Sequence, residues 1–377
     1  MDFLIRNGEV YDPETNSLKH KDIALTDGLI ARPDPGRAYA HSIDASGCIV
    51  SPGLIDYHVH YYFRGTENGV SPDAASFCSG ITTAVDQGSC GAAAYELFRS
   101  TTLTMSQVRI FAALAVSSGG QLTDSYPENM DPRFFNDKKI LALCRTYPEE
   151  IRALKLRMSR GIVAPEQAEE VLQHAVSLAE QAGVRVVIHV TDPVLPLERM
   201  AELLRPGDVM CHIYQNRGGV SCLGEGGHIR TGLREARRRG VLFDAANGSR
   251  NFDLEVCSEA LKEGFLPDVI SSDNNAGGYF LQPLHSLPRI LSRYLDLGLT
   301  PEQVLYAATM APAQLLGHPE LAQMSAGTPA DICILQRRFE PLRHEDASGH
   351  VLAGTQALVP MMTFKDGKCV YCQADFG

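Results

Sequence analysis

The 377-residue chain lacks a basic surplus: 34 Lys and Arg stand against 45 Asp and Glu, a net charge of −11. Gripping a phosphate backbone needs a basic surface, so no nucleic-acid partner is expected. Long apolar runs are missing too. The longest, IFAALAV from Ile110 to Val116, falls far short of the ~20 residues that span a bilayer, so no membrane association is expected. The start, MDFLIRNGEV, has no basic segment leading into an apolar core, and no secretory signal is expected. Ten cysteines are scattered without the spacing of a disulfide framework. Cys369 and Cys372 form a CxxC with no second pair to complete a zinc knuckle. Reduced thiols and a cytoplasmic location are the expectation. Neither a low-complexity linker nor an internal repeat divides the chain.

What is present is an alternation. Between about residues 50 and 317, eight short apolar runs take turns with helical stretches: CIVSPGLIDYHVH, GITTAVDQGS, VRIFAALAVSS, IRALKLRMS, VRVVIHVT, DVMCHIYQ, VLFDAANGS and DVISSDNN. Most are bounded by Gly, Pro or Asp, as expected of strands buried on both faces. APEQAEEVLQHAVSLAEQAG sets Ala168, Val171, Leu172, Ala175, Val176 and Ala179 at helical spacing, with Gly183 as a stop. TGLREARRRG ends likewise at Gly240. Eight strand–helix units in roughly 270 residues predict an α/β fold, a (β/α)8 TIM barrel over 51–317. The chain ends read differently. Apolar and polar residues alternate around Asn7-Gly8, Asp27-Gly28 and Asp366-Gly367, which are hairpin signals. A small β-sandwich domain built from residues 1–50 plus 318–377 is the expectation.

Active sites of such barrels stand at the C-terminal ends of the strands. The first run ends with His58 and His60, whose spacing points both side chains to one side. Lys155 lies in the fourth run, His189 ends the fifth, His212 the sixth and Asp273 the eighth. Taken singly, a strand-end His is more often a hydrogen-bonded structural residue, and Asp273 reads equally well as a helix N-cap. Their convergence at one end of one barrel is what such readings leave unexplained. Lys155 stands apart, because burying an unpaired ammonium is costly. Desolvation lowers a lysine's pKa, and the neutral amine can add carbon dioxide to give a carbamate, a carboxylate analogue able to bridge two metal ions.

PGLIDYHVH, GTENGVSPDAASFCSGITTAVDQGSCG, LKLRMS, the two later single histidines, PDVISSDNN, LDLGLTPEQVLYAATMAPAQLLG and AGTPADICIL together resemble the amidohydrolase superfamily. Their order and wording are similar to its amidohydrolase/deacetylase, dihydroorotase-like group, over nearly the whole chain. The resemblance implies two divalent ions, usually zinc. His58, His60 and Asp273 would hold the first, His189 and His212 the second, and carboxylated Lys155 would bridge them. A metal-bridging hydroxide would then attack the substrate, with Asp273 moving the proton.

Departures bear on substrate. Dihydroorotases carry an arginine two residues after the His-x-His pair; here Tyr61 and Tyr62 stand, and the nearest arginine is Arg64. The expected reaction is therefore cleavage of an amide or ester bond in a small anionic molecule, such as an N-acyl amino acid or acylated hydroxy acid. Arg160 and Arg217 are the candidate clamps, with Tyr61 and Asn247 as further candidate substrate contacts. Asn247 replaces a histidine common in relatives, and Asn274 and Asn275 follow Asp273 where relatives commonly carry Leu-His. A cyclic-amide hydrolase is the alternative enzyme. A catalytically silent scaffold would require missing ligands, and none is missing. His174 and His318 read as structural or exposed, His228 stays open, and a homo-oligomer is compatible with the resemblance.

Overall fold

The computed structural model describes residues 2–281 and 285–373. Seven parallel strands lie side by side in chain order: Leu54–Val59, Ile81–Gly91, Arg109–Ala115, Ile151–Arg157, Arg185–His189, Val209–Cys211 and Leu242–Asp244. Burial on both faces explains their continuous apolar spelling; Ile81–Gly91 is buried at every position. Ile55, Tyr57, Val85, Phe111, Ala113, Ala153 and Val187 form one apolar cluster within the curl of the sheet. Neighbours such as Leu54, Ile110, Ala112, Leu154 and Ile188 join a larger cluster with the helices.

The eighth run forms no regular strand. Instead residues 269–274 meet both edges of the sheet through single bridges, Asp244 with Val269 and Val59 with Asn274. The sheet curls far enough for one short segment to touch its first and last strands. Helix Ala168–Ala182 buries Ala168, Val171, Leu172, Ala175 and Ala179 as the spacing predicts, with Leu178 taking the place given to Val176. It stops at Gly183 in the left-handed conformation, as helix Thr231–Arg239 stops at Gly240.

Both chain ends contribute to two further sheets. Phe3–Arg6, Ile23–Thr26, Leu29–Ala31 and His41–Asp44 make a four-stranded sheet. Glu9–Asp12, Ser17–His20 and Cys48–Pro52 join Ile332–Glu345, Val351–Lys365 and Lys368–Cys372 in a six-stranded one. Phe3, Ile5, Leu25, Val50, Ile332 and Phe364 belong to one apolar cluster that draws on both. The first apolar run, expected as a single strand, is divided at Gly53. Cys48–Pro52 pairs antiparallel with residues 332–336, while Leu54–Val59 opens the parallel sheet. The division is steric as well as topological. An added Cβ at Gly53 would collide with the Thr82 side chain, and the Gly53 N–H donates to the Asp331 carbonyl at 2.8 Å.

Asp331 ties the sheets together. Its carboxylate accepts from Arg109 Nη1 on the third parallel strand (3.0 Å), from Lys365 Nζ (3.1 Å) and from the Asp366 N–H (2.8 Å). Asp331 and Lys365 are both buried; without Asp331, Lys365 would keep only the exposed Asp366 carboxylate, 2.8 Å away, among the described residues. Among the described residues no helix is long and apolar enough to cross a membrane. Asp331→Ala is expected to destabilise the chain by about 3 kcal/mol, read as a lower urea midpoint at unchanged slope; an unchanged midpoint would show the junction to be energetically idle.

Candidate metal centre

His58 and His60 end the first parallel strand with their ring centroids 5.7 Å apart. His58 lies 4.9 Å from His212, and His212 lies 4.3 Å from His189, centroid to centroid. From the eighth run, Asp273 brings Oδ1 to 3.2 Å from His60 Nε2 and 3.5 Å from His58 Nε2. Lys155 Nζ reaches 3.4 Å from the same His58 nitrogen. The six residues singled out at five strand ends therefore stand together. His189 is partly exposed and the other five are buried.

Two of the rings have a hydrogen-bonding partner that orients them, and a third lies near a carboxylate. His212 Nδ1 lies 2.7 Å from the Ala246 carbonyl, which can only accept, so the proton sits on Nδ1 and Nε2 keeps its lone pair. That Nε2 is buried with no hydrogen-bond partner among the described residues. His60 Nδ1 is 3.1 Å from Ser89 Oγ, and His58 Nδ1 is 3.6 Å from Asp244 Oδ2. Asn251 Nδ2 donates to Asp273 Oδ2 at 2.8 Å, leaving Oδ1 toward the histidines.

Burial sets the charge states. Loss of water, reinforced by Lys155, pushes the His58 pKa far below the ordinary histidine value; burial acts likewise on His189 and brings His212 to about 4. Three imidazoles are thus neutral at pH 7, the form that ligates. Burial also works against ionisation of Asp273, but its contacts with His60, His212 and Asn251 outweigh it and hold the carboxyl below its usual range. Two of the strand-end residues adopt left-handed backbone, His212 at φ 66° and Asp273 at φ 54°. Side chains other than Gly rarely accept this conformation, and its cost of roughly 1–3 kcal/mol persists where surrounding structure imposes it. Neutral imidazoles, an ionised carboxylate and a buried unpartnered lone pair fit divalent transition-metal ions. His58, His60 and Asp273 place ligand atoms within reach of one ion, and His58, Cys211 and His212 form a second such group.

A cavity of about 590 Å³ opens above, with His60, His189 and Asp273 in its lining. Arg160 and Arg217 line it as expected, joined by Arg157 and Arg250, which the sequence reading passed over. Arg157 pairs with Glu128 at 3.2 Å and Arg160 lies 3.7 Å from Asp192, whereas Arg217 and Arg250 have no ion-pair partner among the described residues. Tyr61 and Asn247 are placed elsewhere. Tyr61 is buried, with its hydroxyl 2.8 Å from Ser76 Oγ, and it does not line the cavity. Asn247 accepts from the Tyr294 hydroxyl (3.2 Å) and borders a different cavity. Neither is in position to touch a substrate above Asp273. Arg157 had a legible signal, two residues beyond Lys155 on the same strand. Asn251, Ser89 and Cys211, whose Sγ is 3.1 Å from Lys155 Nζ, had none beyond their nearness to strand ends. His174, His228 and His318 each pair with a carboxylate outside the centre, namely Asp137, Glu263 and Glu320.

The model of the amidohydrolase family matches residues 49–370. The chain belongs to the amidohydrolase family. It is a hydrolase, from a family that typically depends on two metal ions. A deacetylase of Brucella anthropi is 28% identical over 349 residues, covering 90% of this chain and 86% of the relative. The crystal structure of a dihydroorotase superposes with a TM-score of 0.89 at 26% identity, covering 98% of each chain. That of an adenine deaminase also reaches 0.89, at 22% identity, covering 99% of this amidohydrolase and all of the other. At that identity the second likeness speaks for fold alone.

Two substitutions probe how Asp273 is held. Gly248→Ala would drive a Cβ into Asp273 Oδ2, and Asn251→Ala removes its only side-chain donor among the described residues apart from the histidines. Each is expected to weaken divalent-ion binding by about 10–100-fold, measured by competition with a chromophoric chelator. Wild-type affinity in both would show that this support is dispensable.

Proposed function

We propose that the chain is a binuclear metal-dependent deacylase, cleaving the amide or ester bond of an acyl group on a small anionic molecule. N-acyl amino acids and acylated hydroxy acids are the substrate class. The observation that carries the reading is the buried, unpartnered His212 Nε2 beside His58, His189, Lys155 and Asp273. In this reading His58, His60 and Asp273 would hold one ion and His189 and His212 the other, and Lys155, as its carbamate, would serve both. Zinc suits this set of imidazoles and carboxylates. When bound, such ions lower the pKa of water toward about 7 and polarise a carbonyl.

The chain's own residues handle the proton and the substrate. Asp273, kept ionised, takes the proton of the attacking water at Oδ1 and returns it to the leaving nitrogen or oxygen. Asn251 pins the other oxygen, so the carboxylate keeps its aim through both transfers. Arg217 grips the substrate's anionic group, with Arg160 beside it; having no acidic partner among the described residues, Arg217 gives up none there to do so. Residues 1–50 and 318–377 act as a β-sandwich bracing the barrel of residues 51–317. The deacetylase relative supports the acyl-group reading. Against a cyclic amide, Arg64 lies exposed over the Phe63 ring at 5.2 Å and does not line the cavity.

Metal analysis of the purified protein is expected to find about two divalent ions per chain. Asp273→Asn is expected to lower kcat by about 10²–10⁴-fold or more with circular dichroism unchanged. N-acyl-D- and L-amino acids, acylated hydroxy acids and cyclic amides, assayed side by side, then define the substrate. Turnover of ring amides alone would replace the acyl reading, and full activity in Asp273→Asn would falsify the mechanism.

A further inference from the structure

We infer that the chain carries a second binding site, for a small oxyanion, in the cavity next to the one above the metal centre. This cavity, of about 370 Å³, is lined by Asn247, Gly248, Phe252, Arg289, Arg293 and Arg343 among others, and shares only Ser249 and Leu281 with its neighbour. It is independent of the reading given for the metal centre.

Arg289 and Arg293 stand four residues apart on helix Leu287–Asp296, so they share a face. The other buried side chains of that helix include Leu287, Ile290, Leu291 and Tyr294, yet Arg293 is buried among them, 7% exposed. Its guanidinium has no carboxylate within ion-pair distance among the described residues, and its Nε has no hydrogen-bond partner there. Its contacts are a long donation from Nη2 to the Glu345 carbonyl at 3.5 Å and the Phe252 ring, 4.6 Å away. Arg289 donates to the Arg343 carbonyl at 2.6 Å and likewise has no acidic partner among the described residues.

Two acids, Glu345 and Asp346, also line this cavity, and each is engaged by other groups. Glu345 pairs with Arg343 at 2.9 Å. Asp346 accepts from the N–H groups of Leu254 (2.7 Å), Ser348 (2.8 Å) and His350 (2.9 Å), and its Oδ2 is 2.9 Å from His350 Nδ1. Burying a cation without a counterion is costly, and proteins retain one where a partner arrives. The guanidinium fork matches the two oxygens of a carboxylate or phosphate. Burial lowers the pKa of both arginines. An oxyanion bridging Arg289 and Arg293 satisfies both groups at once.

Isothermal titration of the full-length, metal-loaded protein with inorganic phosphate, and separately with succinate, tests this. One equivalent of at least one anion is expected to bind per chain, phosphate alone or succinate alone identifying the preferred head group. Arg289→Gln and Arg293→Gln are each expected to weaken that binding by about tenfold or more. Arg289 is only half-buried, so its variant keeps the test open if Arg293→Gln fails to fold. His212→Ala, with circular dichroism matching wild type, is expected to retain binding, because the metal centre is not the site. No heat from either anion, wild-type affinity in Arg289→Gln, or loss of binding in folded His212→Ala would each overturn the inference.

Discussion

Two serines hold the centre together. Ser271 Oγ donates to Asp244 on the last parallel strand, within 2.8 Å of both carboxylate oxygens. Ser272 donates from its N–H to Asp56 on the first strand at 2.9 Å, and its hydroxyl donates to the same carboxyl. Neighbouring residues of one short segment thus staple the two edges of a curled sheet, and the next residue is Asp273. Because the staples fix that backbone, His60 N–H can donate to the Asn274 carbonyl at 2.8 Å while Asp273 faces both histidines. Burial raises Asp56 and Asp244 to about 7, so these carboxyls depend on their serine partners more than surface ones would. The left-handed φ of Asp273 follows: a residue between two anchored neighbours takes the conformation they leave it.

How much of this was legible in the chain depends on which rule each residue obeys. The parallel strands announced themselves because burial on both faces forces unbroken apolar spelling, and period-two alternation placed His58 and His60 on one side. Lys155, His189, His212 and Asp273 followed from strand ends alone. The same rules fail where regular backbone stops. Tyr61 was a candidate through its place after the His-x-His pair, yet it lies just beyond the strand, on the side opposite His60 by alternation, and its hydroxyl turns to Ser76. Asn247 follows Ala246, itself at φ 39°, and turns into a hydrogen bond with Tyr294 instead of toward the cavity. Gly53 divides an apolar run that looks continuous, because the collision with Thr82 that defines it involves a residue 29 positions away. Hydrogen bonds such as Asn251 to Asp273 leave no periodic trace, since they join two loops.

The chain's charge is spread over its surface, whereas the cavity gathers charged groups of both signs, and the difference is local geometry. A net charge of −11 describes the surface as a whole, whereas Arg157, Arg160, Arg217 and Arg250 gather around one opening. Asp192 and Glu128 offset two of them, and the ionised Asp273 sits at the bottom. Asp124 lines the opening as well, and Arg217 and Arg250 have no ion-pair partner among the described residues. Low-dielectric walls strengthen the field of each such group locally, whatever the sign of the whole chain. The floor in turn must stay neutral, because imidazolium groups would repel a cationic metal. Burial is the largest cause of that for His58, His189 and His212, with nearby positive groups such as Lys155 adding to it. Depth therefore sorts the side chains: the buried end keeps its imidazoles in the metal-ligating form, and the arginines stand at the more exposed mouth.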